Sequence, residues 1–160
     1  MRINELIEKF NLNQHPEGGW YKEIYRSSEK IDTQSGDRDL LTSIYFLLSS
    51  DNQSHFHKIE SDEIWFYHEG SPLSVHTISP EGEYKVLKVG LNLAKGEEPQ
   101  VLVPKGTIFG STVDQENSYS FVSCAVAPGF DFQDFYLHTR EELLTHYPEH
   151  ASIINRLTKA

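Results

Sequence analysis

Cysteine is nearly absent from this sequence: Cys124 is the only one, so no disulfide can close within the chain. Set in the apolar run Phe121-Val122-Ser123-Cys124-Ala125-Val126, it reads as a small buried hydrophobe, and such a chain suits a reducing interior. Long apolar runs are also missing. None approaches the roughly 18 residues that a membrane-spanning helix needs, and the start Met1-Arg2-Ile3-Asn4-Glu5 lacks the charged-then-apolar pattern of an export signal. The expectation is a soluble, cytoplasmic protein. Cations are scarce, with 14 Lys and Arg against 24 Asp and Glu and a formal net charge of -10. That charge repels phosphate backbones and anionic lipid surfaces, which argues against nucleic acid and membranes as partners. Repeats and low-complexity tracts are absent, and 160 residues suffice for one domain with its own core, 1–160.

What is present is a succession of short β-rich segments. After a first dozen residues in which Ile3, Leu6, Ile7 and Phe10 recur at helical spacing, with Asn4 as a candidate cap, the turn His15-Pro16-Glu17-Gly18-Gly19 leads into the strand-like Trp20–Tyr25. Residues 29–39 are polar and read as an exposed loop. From there β-rich stretches alternate with turn signals: 41–48, 54–57, 63–68, 73–78, 84–89, 100–103, 107–112, 118–127 and 131–137, the last with its Phe rings facing the core. Many short strands at this pitch predict an all-β sandwich or barrel. The tail, 139–160, returns to helix: Thr139 and Glu142 form a capping-box pattern, and Pro148 splits the segment in two.

The stretch from Ser54 to Gly70 is the candidate active centre. As strands, 55–57 and 63–67 would put His55 and His57 on one face and Glu63, Trp65 and Tyr67 on one face, with Lys58–Asp62 as the turn. Two imidazoles and a carboxylate are the ligand set of iron, manganese or zinc, although a His-x-His pair is more often an ordinary feature of a strand. Alternate residues of a barrel point inward, so His57, Glu63 and Trp65 are expected to share a cavity with Gln100 and Tyr45. There His57 would be a general base oriented by Glu63 or Asp62, with Tyr45 or Tyr67 as the acid, for isomerisation or epimerisation beside a carbonyl. Such chemistry requires no cofactor; the metal-dependent reading with His55, His57 and Glu63 is the alternative, and a non-catalytic binding module is a third. Arg26 and Lys58 are the cations that would meet an anionic ligand. Glu17 and Arg26 belong either at the pocket mouth or to the packing of the N-terminal strand. His68 and His76 read as strand-face histidines.

The run from His57 to Gly70 resembles the first cupin motif, which pairs His-x-His with a downstream Glu and Gly, with five residues between His57 and Glu63 where the motif commonly has three or four. Pro104-Lys105-Gly106-Thr107-Ile108-Phe109 is similar to the second motif, Pro-x-Gly-x-x-His, with Phe109 where a third metal-binding His would stand. Four further segments, His15–Tyr21, Ser61–Trp65, Pro99–Pro104 and Ala127–Phe132, resemble the signatures of cupin type 5, a domain of unknown function. The resemblance implies a double-stranded β-helix, or jelly roll, often paired as a homodimer. It leaves the ligand open between a sugar nucleotide and an organic acid. In shape the family is similar to deoxysugar-nucleotide epimerases and to seed-storage and auxin-binding cupins, an analogy of fold.

Overall fold

The computed structural model describes residues Met1–Ala160. Helix α1 (Arg2–Phe10) leads to β1 (Asn13–Gln14), β2 (Trp20–Arg26), β3 (Lys30–Thr33), β4 (Gly36–Asp39), β5 (Thr42–Ser49), β6 (Gln53–Lys58) and β7 (Asp62–Gly70). Strands β8 (Leu73–Ile78), β9 (Tyr84–Val89), β10 (Glu97–Glu98), β11 (Gln100–Val103), β12 (Ile108–Val113), β13 (Tyr119–Ala127) and β14 (Tyr136–Leu137) follow, then α2 (Arg140–His146) and α3 (Ala151–Arg156).

Two six-stranded sheets face each other, one ordered β1-β2-β5-β13-β7-β11 and the other β10-β9-β8-β12-β6-β14. This is the jelly roll with short terminal helices that the alternating pattern predicts. Every ladder is antiparallel apart from the two-residue pairing of β10 with β9. The inward rows of both sheets form the main core, including Phe46, Leu48, Trp65, Leu73, Val75 and Phe109. Outside the second sheet, Leu143, Ile154 and Leu157 of the C-terminal tail bury Phe56, Ile78 and Ile108. Outside the first sheet, α1 lays Ile3, Leu6, Ile7 and Phe10 over Leu47 and Phe121. The tail helix starts at the expected capping box, where Thr139 accepts the Glu142 N–H and Glu142 accepts the Thr139 N–H. No helix is long and apolar enough to cross a membrane.

Three local expectations are corrected. Residues 29–39 are not an irregular loop but the hairpin β3/β4, paired from Lys30↔Asp39 to Thr33↔Gly36. The 131–137 segment is mostly not strand: Asp131 accepts the Gln133 N–H and caps a single 3-10 turn, Phe132–Asp134, so Phe132 is exposed. The cap of α1 is Met1 rather than Asn4, which lies inside the helix.

Candidate functional site

A cavity of about 510 Å³ opens at one end of the barrel, within the size range of small-molecule sites. Its floor is built by the turn before β2 meeting β6. At Gly18 φ is +113°, and a Cβ there would lie 2.1 Å from the Gln53 carbonyl oxygen, so only glycine allows this approach. The approach sets the Glu17 carbonyl 2.7 Å from both the backbone nitrogen and Nδ1 of His55, which donate to it. The Glu17 side chain, 6 % exposed, turns into the lumen.

There it meets His57. His57 Nε2 lies 2.8 Å from Glu17 Oε2, and Nδ1 lies 2.7 Å from the backbone oxygen of His55. Both nitrogens therefore face acceptors, which suits an imidazolium beside a carboxylate. Burial alone would lower the His57 pKa, but Glu17, by charge and hydrogen bond, holds it above its ordinary value. Conversely, burial alone would raise Glu17, and the neighbouring His57 and His15 keep it below the usual carboxylate range. His15, whose Nδ1 lies 3.7 Å from Glu17 Oε1, is pushed down by burial and stays neutral.

Glu63 is the second buried carboxyl, placed by β7 between Val126 of β13 and Val103 of β11. It forms no ion pair, and burial pushes its pKa up to about 8, assisted by the negative Glu17 and opposed by His57. The Trp65 indole N–H is buried in the same lumen and makes no hydrogen bond. One lumen thus holds an ionised Glu17, a His57 whose pKa is held above its ordinary value by that carboxylate, and a Glu63 that keeps its proton at neutral pH. Environments that split equivalent groups in this way assign acid and base roles.

The mouth is formed by residues 128–135. Gly129 N–H donates to the Asp39 carbonyl (2.6 Å), Phe130 N–H to Thr42 Oγ1 (2.9 Å), and Arg38, 6 % exposed, clamps Asp134 through two 2.8 Å bonds. Phe130 and Phe135 wall the opening, and the Cys124 thiol, pushed up by burial, stays protonated deeper inside.

Of the residues nominated from sequence, His57, Glu63, Trp65 and Arg26 line this cavity. The others do not. His55 is displaced by a bulge: β6 and β12 pair as Phe109↔His57 and then Ser111↔Ser54, so β6 carries one extra residue and its alternation breaks. His55 consequently lines a cleft outside the barrel with His138 and Lys159. Tyr45 lies on the outer face of β5 against Phe10 and Phe121, on the opposite side of the strand from the inward Ile44 and Phe46. Gln100 pairs with the outward Phe66 and is exposed, because Val101 and Val103 take the inward positions of β11. Lys58 points into a separate surface cleft with Glu60 and Asp134. Tyr67, farther along the inner face of β7, donates to the Gly70 carbonyl (2.6 Å) and lies outside the lining. His68 and His76 are bonded to Ser123, and to Tyr84 and Thr112, as strand-face histidines.

The metal set fails the same test. With His55 facing outward, no three His, Cys, Asp or Glu side chains converge as ligands, and the Phe109 ring packs 4.2 Å from the His57 ring. The residues present do not fit a metal centre of the two-His-one-carboxylate kind. His15, Tyr21 and Cys124 are lining residues that sequence reasoning left out of the site, and Glu17, expected either at the pocket mouth or in strand packing, lies in the lumen itself. The His-x-Glu pair in the Gly-rich turn was the available signal.

Comparison with known proteins matches this architecture. The family model described as cupin superfamily (DUF985) matches residues 4–138. The chain is similar to the uncharacterised protein YML079W of Saccharomyces cerevisiae, 32% identical and covering 94% of this chain and 83% of the relative. Protein SO0799 from Shewanella oneidensis is 46% identical with a TM-score of 0.91 (98% and 96% covered). A hypothetical protein from Leishmania major is 39% identical with a TM-score of 0.93 (98% of each). Oxalate decarboxylase of Bacillus subtilis, 13% identical at a TM-score of 0.58 (94% of this chain and 38% of that one), shares the fold. The chain belongs to the cupin superfamily, in the family DUF985.

Proposed function

We propose that this cupin binds a small polar metabolite in the barrel lumen and catalyses proton transfer beside its carbonyl group, as an isomerase or epimerase does. The observation that carries the reading is the pair of buried carboxyls in one lumen, Glu17 bonded to His57 and held below the usual carboxylate range, Glu63 without an ion pair and pushed up to about 8. Glu63, protonated at neutral pH, is the donor to a carbonyl oxygen. The Glu17–His57 couple is the acceptor for the carbon-bound proton, since of the two buried carboxyls Glu17 is the ionised one and its Oε1 has no partner closer than 3.7 Å among the ion pairs. His57 then acts less as the base first expected than as the cation that keeps Glu17 charged. Positioned acid/base groups of this type contribute on the order of 10²–10⁴ in rate.

The test is solvent deuterium incorporation into a panel of aldoses, ketoses and 2-oxo acids, followed by NMR. Wild type is expected to exchange the proton next to the carbonyl in at least one compound, and Glu17→Gln and Glu63→Gln should each lose roughly 10²-fold or more. Exchange at the wild-type rate in both variants would remove the carboxyls from the mechanism. Thermal shifts on the same panel measure binding separately from turnover.

A further inference from the structure

Resting on that reading of the lumen, we propose that its substrate is an uncharged, hydroxyl-bearing carbonyl compound of the monosaccharide class, and that phosphate esters and carboxylates are refused. The argument is one of charge placement. Arg26 is the only Lys or Arg in the lining, and its guanidinium is already taken. Nε and Nη2 hold the two Glu23 oxygens at 3.2 and 2.6 Å, Nη1 holds Asp39 at 2.7 Å, and Nη2 also reaches the Phe130 carbonyl at 3.1 Å. Asp39 is further matched by Lys30 at 2.6 Å. His57, the other charged donor, has both nitrogens on acceptors. Of these cationic N–H groups only one Nη1–H of Arg26 is without a bond, on a guanidinium already matched by the Glu23 and Asp39 carboxylates.

What the lumen offers instead is carboxylate oxygen. Glu17 Oε1 is open toward His15, and at the mouth Asp131 spends one oxygen on the Gln133 N–H while the other lies 4.0 Å from Arg38. An anion entering here would lose its water against like charge without gaining a counter-ion. A hydroxyl group faces the opposite balance, because each open carboxylate oxygen accepts its hydrogen. Tyr21, Phe130 and Phe135 supply apolar faces for the C–H side of such a ring.

The experiment is a calorimetric or NMR titration with matched probes: glucose, xylose and dihydroxyacetone, each against its phosphate ester, with glucosamine as a cationic control. At least one neutral member should bind at least about tenfold tighter than its ester, and glucosamine should not exceed glucose. Glu23→Gln frees one side of Arg26 and should raise ester affinity by about tenfold while moving the neutral sugar little. An ester or glucosamine that binds wild type as tightly as the neutral sugar overturns the charge argument and leaves the acid/base reading intact. So does an unchanged ester affinity in a Glu23→Gln protein that melts like wild type. If no member of any pair binds, the monosaccharide assignment falls, while the acid/base reading stands or falls separately on deuterium exchange into the wider carbonyl panel.

Discussion

The two ends of the barrel share strands β5 and β13 and have opposite interiors. At the closed end the inward row is hydrocarbon, with Leu48, Leu73, Val75, Val89 and Val122 each fully buried. A few residues along β5 and β13, and on the adjacent β7, the inward row becomes Thr42, Val126 and Glu63, and beyond it the lumen stays open. Strand alternation decides which side chains point inward but not whether they fill the space. Filling depends on the size and polarity of successive rows. Where two carboxyls and an imidazole replace aliphatic groups, hydrogen bonding and water compete with close packing, and the cavity remains.

The sharpest way to break this comparison is to make a hole at the closed end. Leu73→Ala should cost about 2–5 kcal/mol in thermal or urea unfolding, because the aliphatic row around it leaves little room to collapse. Occupancy of the open end by a bound sugar should be unchanged once the protein is folded. A change in sugar affinity as large as the change in stability would show the ends to be one mechanical unit.

The second experiment concerns the open end. Between the ordinary carboxylate value and about 8, folded Glu63 keeps a proton that the unfolded chain has released. The folded state binds more protons in that window, so this group makes stability fall as pH rises through it. His57 acts in the same direction: its raised pKa contributes stability below the ordinary histidine value that is lost as pH climbs through the folded value. Glu17 acts oppositely, its lowered pKa contributing stability above the ordinary carboxylate value that fades only in acid. Glu63→Gln should therefore flatten the decline, gaining roughly 2 kcal/mol relative to wild type at pH 7 compared with pH 5. Parallel curves for the two proteins would mean that Glu63 is ionised in the fold.

Much of this architecture is legible in the sequence, because inward and outward positions differ chemically along most strands. β5, β7, β8, β9 and β11 lie within a residue or two of where alternation and turn residues place them. The hairpin β3/β4 is not legible: Lys30, Asp32, Asp37 and Asp39 make one face polar, Thr33 and Arg38 lie with Ile31 on the other, and an exposed two-stranded ribbon leaves no apolar period. The site is half legible. His57, Glu63 and Trp65 obey the strand period, whereas one extra residue in β6 carries His55 to the other side and leaves no compositional mark. Glu17 is joined to His57 by a backbone approach that depends on Gly18, which reads in sequence only as a turn.

A smaller effect is expected at the lip. Arg38→Gln removes the clamp on Asp134 while Gly129 and Phe130 keep their bonds to Asp39 and Thr42. Amide hydrogen exchange should quicken over residues 130–135 with the barrel strands unaffected. Exchange that quickens everywhere would place the clamp in the global fold instead.

The smallest effect is predicted for the residues that sequence reasoning sent to the lumen and the fold sends outward. Gln100→Ala and Lys58→Ala alter exposed or outward side chains on strands whose inward neighbours remain in place. Each should change stability by no more than about 0.5 kcal/mol. Each should also leave sugar affinity unaltered, although Gln100 lies one residue from the inward Val101 and Lys58 one residue from His57. That adjacency is what makes the pair informative. A residue one position from the lumen is as close in sequence as the catalytic candidates, so an effect on ligand would mean that β6 or β11 is shifted by one, turning every side chain on it to the other face.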